Sequence, residues 1–252
     1  MRSLNAAAVK QRKTMMKVAS KFLVFLSLAI SVPSCTAISY TPKYTPQVNL
    51  DISPRTINKS VQIDRFKDAS PAEDKKIRFM KGLSITHKKL LDDELNLQVT
   101  NAVVSDFSTG GLFKEAGREV ENPDFIIKGE IKKFYGKSRT NAFAKISIII
   151  GVAGFAFLAT NWKLFFLAEM PSLSLHFGVP MSRNTSEIVI EMRLYDNHNR
   201  LINTYTGRAT ASRPATIYHS TILDVSNITN RTFSKAIMQI REQILADADK
   251  LD

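Results

Sequence analysis

Apolar residues recur along the chain with two different periods, and both periods occur within a single predicted α+β domain. Segments 60–66 and 125–135 alternate apolar and polar residues, which is typical of strands with one buried face. Segments 187–195 and 201–209 alternate in the same way on either side of Asp196-Asn197-His198-Asn199. Because Asp and Asn favour tight turns, these two segments are predicted to form a β-hairpin.

Two other stretches repeat apolar residues every three or four positions and predict amphipathic helices. The first extends from Leu91 to Phe107 and ends before Gly110-Gly111, and the second covers about residues 227–248. The acids at 92–94 fit the first turn of a helix better than a catalytic group, since carboxylates there stabilise the helix dipole. The order of elements predicts an α+β fold, with a mostly antiparallel sheet and two amphipathic helices on one face.

Glycine at position 129 interrupts the strand predicted over 125–135. It occupies the same face as the apolar residues of that strand. A glycine inside a strand indicates a bulge or a closely packed neighbour. We therefore expect a bulky side chain, or an irregularity of the strand, at this position.

One apolar insertion, 146–167, fits neither period. Its first part, Ile146–Leu158, spans about 20 Å as a helix and is shorter than a hydrocarbon core of about 30 Å. Extension to residue 167 adds enough length to span but includes Lys163. The insertion is expected to contact a membrane, a lipid cargo or another subunit, and a buried core element is the alternative. The residues expected at this contact are Ile146, Ile148, Ile149, Ile150, Val152, Phe155, Phe157, Leu158, Trp162, Phe165 and Phe166.

Basic residues precede this insertion, with Glu130 as the only acid among them. Cations beside apolar residues are typical of segments that lie at an anionic membrane surface. A solvated strand face is the simpler alternative. The residues of this basic flank are Lys128, Lys132, Lys133, Lys137, Arg139 and Lys145.

The first 34 residues have the pattern of an export signal. Lys17 and Lys21 precede the apolar run 22–30, and small residues follow it. A run this short favours a cleaved signal peptide over a membrane span. Residues 1–34 are therefore predicted to be a signal peptide, with Met15 or Met16 as an alternative start.

Other interpretations of this leader stay open. The stretch 1–14 is basic and free of acids, which is also compatible with a transit peptide. The leader could equally be an uncleaved anchor, or an ordinary signal peptide that happens to precede a cysteine. The Thr/Pro-rich tract 36–47 predicts an extended tether, and residues 48–252 are predicted to form a single α+β domain that contains the insertion.

Charge and composition narrow the possible functions. The formal net charge is +12, but six basic residues and no acids lie before residue 35, so the rest of the chain carries +6. This modest charge, without aromatic spacing typical of nucleic-acid readers, argues against nucleic acid as a partner. The chain has one cysteine, which excludes an intramolecular disulfide and a thiolate zinc cluster.

No motif for catalysis or cofactor binding is present in the sequence. The four histidines, at 87, 176, 198 and 219, have no metal-ligand spacing. There is no nucleophile elbow and no phosphate loop. We therefore expect no metal, no cofactor and no enzymatic activity, with an exported enzyme that lacks a recognisable motif as an alternative.

The chain resembles small bacterial envelope lipoproteins of the YajG-like and transport-auxiliary kind. The features that carry the resemblance are the leader, Cys35, the Thr/Pro tract, the segment PDFIIKGEIKKFYG, the segment LYDNHNRLINTYTG and the closing helix. Val32-Pro33-Ser34-Cys35 is similar to a lipobox, although Leu and Ala or Ser are usual where Val32 and Pro33 stand. The resemblance implies that Cys35 becomes the acylated N-terminus.

The resemblance also implies a location and a class of function. It implies a lipid-anchored domain that faces the periplasm, at the outer membrane rather than the inner one because Thr36 follows the cysteine. A protein partner in the envelope is expected, and oligomerisation is left open. The expected role is docking, assembly or transport assistance. An integral membrane protein that spans at 146–167 is the alternative.

Overall fold

The computed structural model of the chain describes residues 40–45, 56–71, 94–154, 161–219 and 222–252. The leader and Cys35 lie outside these ranges. The described strands are β1 (Ile57–Ile63), β2 (Lys67–Asp68), β3 (Phe113–Gly117), β4 (Phe125–Thr140), β5 (Ser182–Asp196) and β6 (Leu201–Ala215). The described helices are α1 (Leu95–Thr109), α2 (Ala142–Gly154), α3 (Trp162–His176), a 3-10 turn (Ile217–His219), α4 (Ile222–Ala246) and α5 (Ala248–Leu251).

These elements belong to two compact units, the body and the helical pair. The body consists of residues 38–141 and 178–252. The helical pair, Ala142–Phe177, falls in the second unit. It extends beyond the predicted bounds of the insertion, 146–167, at both ends. The sequence pattern had placed the insertion within a single domain.

The body contains a six-stranded sheet, in which five strands follow the order β3-β1-β4-β5-β6 and β2 pairs with β4. The two longest pairings, β4 with β5 and β5 with β6, are antiparallel, as predicted. However, β1 pairs in parallel with β3 and with β4, and β2 also runs parallel to β4. The sheet is thus mostly antiparallel with a parallel edge region that the sequence pattern did not predict.

The predicted elements are present, and several are longer than expected. β4 continues five residues past its predicted end at Tyr135, and β5 and β6 extend in register with it as far as Ser182 and Ala215. These extensions lack strong alternation of apolar residues, so they are held by pairing with neighbouring strands. A further strand, β3, was not predicted at all.

Apolar side chains of the helices and the sheet form one core. α4 packs against β4, β5 and β6, whereas α1 contacts β2 and β3. The predicted stripe of α1 is buried at Leu95, Val99, Ala102, Val103 and Phe107, which confirms its amphipathic character. The arrangement of both helices on one face stays a prediction.

Two glycines in the sheet allow close approach of neighbouring groups. A Cβ at Gly129 would lie 2.3 Å from ring carbons of Phe66, which confirms the expected closely packed neighbour. A Cβ at Gly207 would lie 2.0 Å from the carbonyl oxygen of Ala236, so α4 crosses β6 with its backbone almost in contact. Any side chain at either position would force the packed groups apart.

The segment Tyr40–Thr45, which lies within the predicted tether, binds α4 through hydrogen bonds and an aromatic contact. The Tyr40 hydroxyl donates a hydrogen bond to Asn230 Oδ1 at 2.7 Å, and the Lys43 backbone N–H donates to the same oxygen at 2.9 Å. The ring of Tyr44 packs edge-on against Phe233 at 6.0 Å between centroids. This part of the tract therefore belongs to the body, in contrast to the extended tether that its composition predicts.

A buried carboxylate completes this attachment. Asp106 on α1 is 1 % exposed, and its Oδ1 accepts hydrogen bonds from the Tyr44 hydroxyl and, at 3.3 Å, from Arg241 on α4. Burial raises the pKa of Asp106, while the Tyr44 hydrogen bond and the Arg241 charge oppose this effect. The three side chains connect the N-terminal segment, α1 and α4.

The outward face of β4 and β5 carries a network of ion pairs. Lys133 contacts Glu187 at 2.8 Å, and Arg208 on β6 contacts the same carboxylate at 3.3 Å. The hydrogen bond from Lys133 and then that from Tyr135 hold the pKa of Glu187 below its usual value, against the opposing effect of burial. Because this pKa is lowered by folding, the ionised carboxylate stabilises the folded state.

Replacement of Tyr44 by phenylalanine should weaken the attachment of the N-terminal segment. The variant removes one donor from a buried carboxylate, so we expect the free energy of unfolding to fall by about 1–3 kcal/mol. Urea unfolding followed by circular dichroism measures this change. Tyr195→Phe, which also loses a hydroxyl group but on the hairpin, is the matched control, and equal unfolding midpoints for the two variants would contradict the prediction.

Glu187→Gln should destabilise the body only where the wild-type carboxylate is ionised. At pH 7 we expect a loss of up to about 1 kcal/mol, since the ion pairs are partly exposed. The difference from wild type should shrink as the pH falls below about 4.3, the usual value for an unfolded glutamate, and then through the lower folded pKa. Urea unfolding at a series of pH values tests this, and a difference independent of pH would refute it.

Candidate membrane-contact surface

The two helices of the helical pair begin in different ways. Asn161 caps α3, because its side-chain Oδ1 accepts hydrogen bonds from the backbone N–H groups of Lys163 and Leu164 at 3.1 and 3.3 Å. α2 follows β4 after a single residue, Asn141, whose side chain donates to the carbonyl oxygen of Pro180 at 2.6 Å. This hydrogen bond links two residues of the body, one on each side of the helical pair in the sequence.

Small residues occupy the buried positions of α2. They recur at intervals of three and four, and they are Ala144, Ser147, Gly151 and Gly154. A Cβ at Gly154 would lie 2.7 Å from the Cβ of Ala168 on α3. The small residues therefore allow the two helices to approach closely, as they do in membrane helix pairs.

Large apolar residues of the same helices are exposed. The exposed fraction of the side chain is 67 % for Ile149, 63 % for Trp162 and 70 % for Leu167. Among the side chains that the structure describes, the exposed large apolar residues of the pair are Phe143, Ile146, Ile149, Ile150, Trp162, Leu164, Phe166, Leu167, Met170, Leu173 and Phe177. We call these eleven residues the apolar surface. A concentration of exposed large apolar residues on two short helices is typical of a surface that contacts a membrane or another protein.

Among the described residues of the helical pair, the buried positions of α2 are small, whereas most large apolar side chains of both helices are exposed and Leu175 on α3 is buried. In water, the large apolar side chains would be expected inside and the polar ones outside. In lipid this preference disappears, because lipid tails are as apolar as leucine and helices associate through small residues instead. The distribution of side chains therefore matches an apolar solvent.

Only a few charges interrupt the apolar surface. Lys145 and Lys163 are exposed, and Glu169 is half-buried. Lysine can extend its ammonium group to the polar interface while its methylene groups contact apolar neighbours. Within the described residues, no helix has both the length and the apolar character needed to cross a membrane.

The structure describes some of the residues that the sequence analysis assigned to a membrane, lipid or subunit contact. Ile146, Ile149, Ile150, Trp162 and Phe166 are exposed, and Phe165 is half-buried with its ring 5.5 Å from that of Phe166. The alternative of a buried core element is therefore wrong for these exposed residues. Phe155, Phe157 and Leu158 lie outside the described residues, and Ile148 and Val152 belong to α2.

Six residues of the apolar surface were missed by the sequence analysis. Phe143 precedes the predicted insertion, and Leu164 and Leu167 lie within it. The other three, Met170, Leu173 and Phe177, follow it. The spacing of Trp162, Phe166, Met170, Leu173 and Phe177 by threes and fours is a helical signal that could have revealed the last three of them.

The predicted basic flank is largely part of the outward strand face. Lys132 contacts Glu130 at 2.7 Å, and Lys133 pairs with Glu187. Lys128 lies over the ring of Tyr195 and Lys137 over that of Tyr135, at 4.8 and 4.5 Å from the centroids. Arg139 is exposed near the end of β4, whereas Lys145 lies on the helical pair itself. The flank is therefore not one continuous cationic surface.

The histidines of the described ranges lie in separate parts of the chain. His176 ends α3, His198 lies in the hairpin turn, and His219 ends the 3-10 turn. His87 lies outside the described ranges. In these ranges, no group of three histidine, cysteine, aspartate or glutamate side chains is placed to hold a metal ion.

No protein-family model and no curated protein matches this sequence. Among solved structures, a DUF330-family protein from Xanthomonas campestris aligns with a TM-score of 0.47 at 9 % identity, covering 84 % of this chain and 97 % of that chain. A minor lipoprotein from Acinetobacter baumannii aligns with a TM-score of 0.33 at 11 % identity, covering 74 % and 91 % of the two chains. A hypothetical protein from Chlamydia trachomatis aligns with a TM-score of 0.34 at 9 % identity, covering 77 % and 97 %.

Proposed function

We propose that this chain is a non-enzymatic, lipid-anchored protein of the cell envelope whose helical pair embeds its apolar surface in a membrane interface. The observation that carries the proposal is the distribution of side chains in the helical pair, where small residues are buried on α2 and most large apolar residues of both helices are exposed. Lipid is favoured over a protein partner because the exposed large apolar side chains are spread over both helices of the pair.

The lengths of the two helices fit partial insertion. α2 has 13 residues and α3 has 15, so they extend about 20 and 22 Å. Each is shorter than a hydrocarbon core of about 30 Å. The helical pair would therefore enter one leaflet or lie in the interface, where Trp162 and the exposed lysines can reach the headgroups.

Burial of the apolar surface supplies a substantial free energy. Fully burying one leucine, isoleucine or phenylalanine side chain contributes about 1.5–3 kcal/mol. Three such side chains would thus contribute about 5 kcal/mol or more, comparable with a single acyl chain of marginal affinity. The pair would act as a second attachment of the protein to the membrane.

The length of chain between Cys35 and Tyr40 limits how far the proposed anchor can lie from the body. Tyr40 is hydrogen-bonded to α4, and only four residues separate it from the cysteine. An extended chain of that length reaches at most about 18 Å. The body would be held directly against the lipid surface, which favours docking or assembly at the membrane, or assistance to a transporter.

Cys35→Ala should abolish lipid attachment. In cells supplied with labelled palmitate, we expect labelling of the wild-type protein and of a Ser34→Ala control, and none of the cysteine variant. Gel electrophoresis with autoradiography measures the label. Undiminished labelling of Cys35→Ala would remove the lipid-anchor part of the proposal.

The helical pair should bind vesicles without an acyl group. We expect the chain from residue 36 to sediment with vesicles of phosphatidylcholine and phosphatidylglycerol. Ile149→Glu with Leu167→Glu should weaken this partition at least about 100-fold, because two buried apolar side chains are lost. Circular dichroism checks that the variant keeps its helices.

The matched control places the same charges on exposed apolar residues of the body. Leu201→Glu with Leu223→Glu changes side chains that are 55 % and 66 % exposed, and this variant should bind vesicles as the wild type does. Equal binding by both double variants would count against lipid contact through the helical pair. Self-association without vesicle binding would instead indicate a protein partner.

A further inference from the structure

The body contains a small cavity beside the first turns of α4. Its volume is about 130 Å³, roughly ten times that needed for one water molecule and well below the volume of a drug-sized site. All of its lining residues belong to the body, and they come from β5, β6, the 3-10 turn and α4. They are Asn184, Arg213, Pro214, Ala215, His219, Asp224, Asn227, Ile228 and Arg231.

Asn184 lines this cavity and carries an acceptor that is unsatisfied among the described residues. The residue is 3 % exposed, and its Nδ2 donates a hydrogen bond to the carbonyl oxygen of His219 at 3.0 Å. This bond fixes the orientation of the amide. The Oδ1 is buried without a donor among the described residues. A buried acceptor of this kind destabilises the fold unless a bound molecule donates to it.

Two guanidinium groups give the cavity its charge. Arg213 and Arg231 are exposed, and neither forms an ion pair with a carboxylate of the described ranges. Asp224 is the only acid in the lining, so the arginines leave an excess of positive charge. Guanidinium groups bind phosphate and carboxylate through paired hydrogen bonds.

We infer that this cavity binds a small hydroxylated oxyanion, namely a phosphate ester or carboxylic acid that also carries a free hydroxyl group. The oxyanion contacts the exposed guanidinium groups, and the hydroxyl group donates to Asn184 Oδ1 at the buried end. The oxyanion thus balances the positive charge of the arginines, and the hydroxyl group supplies the donor that Asn184 lacks. Because the lining lies wholly in the body, the inference is independent of lipid binding by the helical pair.

Calorimetric titration of the full chain in a non-ionic detergent tests the inference. We expect sn-glycerol 3-phosphate or D-glycerate to bind, and inorganic phosphate and glycerol, which each lack one half, to bind at least about tenfold more weakly. Arg231→Gln and Asn184→Asp should each weaken binding about tenfold or more. Since Arg231 is exposed, its replacement is expected to leave the fold intact.

Arg183→Gln is the matched control. Arg183 precedes Asn184 on β5 but points to the opposite face of the sheet, where it is exposed. This variant should bind the probes as the wild type does. Absence of binding by both probes up to about 10 mM, or binding unchanged in Arg231→Gln and Asn184→Asp, would overturn the inference and leave a buried water as the occupant.

A short-chain lipid probe distinguishes a lipid headgroup from a free metabolite as the ligand of this cavity. Dihexanoyl phosphatidylglycerol, titrated below its micelle concentration, presents the same phosphate and hydroxyl groups on a lipid. Tighter binding than sn-glycerol 3-phosphate, lost in Arg231→Gln, would identify a lipid headgroup as the ligand. Binding of the soluble probes alone would identify a free metabolite.

Discussion

The packing of α4 against β4, β5 and β6 is the interaction on which the rest of the body depends. One side of this helix fills the core with Phe233, Ile237, Ile240 and Ile244, and Gly207 lets its backbone approach β6 closely. A second side holds the segment 40–45 through Asn230 and Ser234. Its first turns line the cavity beside Asn184. The same helix thus positions the core, the N-terminal attachment and the candidate ligand site, so a shift of α4 would disturb all three.

The two units of the chain follow opposite rules for the placement of apolar side chains. In the body, isoleucine and phenylalanine are buried and charged side chains form ion pairs on the outward strand face. In the helical pair, Ala144 and Ser147 are buried while Ile149 and Leu167 are exposed. The hydrophobic effect explains the first arrangement in water, and close packing of small residues explains the second in lipid. One chain therefore combines parts suited to two solvents, which is the physical basis for the proposed place at a membrane surface.

The sequence pattern identified the strongly periodic elements well. The hairpin of β5 and β6, the stripe of α1 and the closing helix were predicted because each buries one face with a regular period. The strand β3 was missed, since FKEAG has only one buried large residue and is held by parallel pairing with β1. The ends of β4, β5 and β6 were also missed, because Ser138, Ser182 and Ser186 are polar but buried on the sheet. Strand pairing imposed structure there in spite of the local sequence.

Some features of the candidate sites could be read from the sequence, and others required the tertiary structure. The sequence alone showed the lone Cys35 and the apolar insertion and predicted an export signal, because length, charge and hydrophobicity are local properties of a chain. Only the tertiary structure showed that the insertion exposes its large side chains and that residues 40–45 bind α4. It also showed that Asn184, Arg213 and Arg231 line the same cavity. These contacts join residues far apart in sequence, and no local period records which of them will meet.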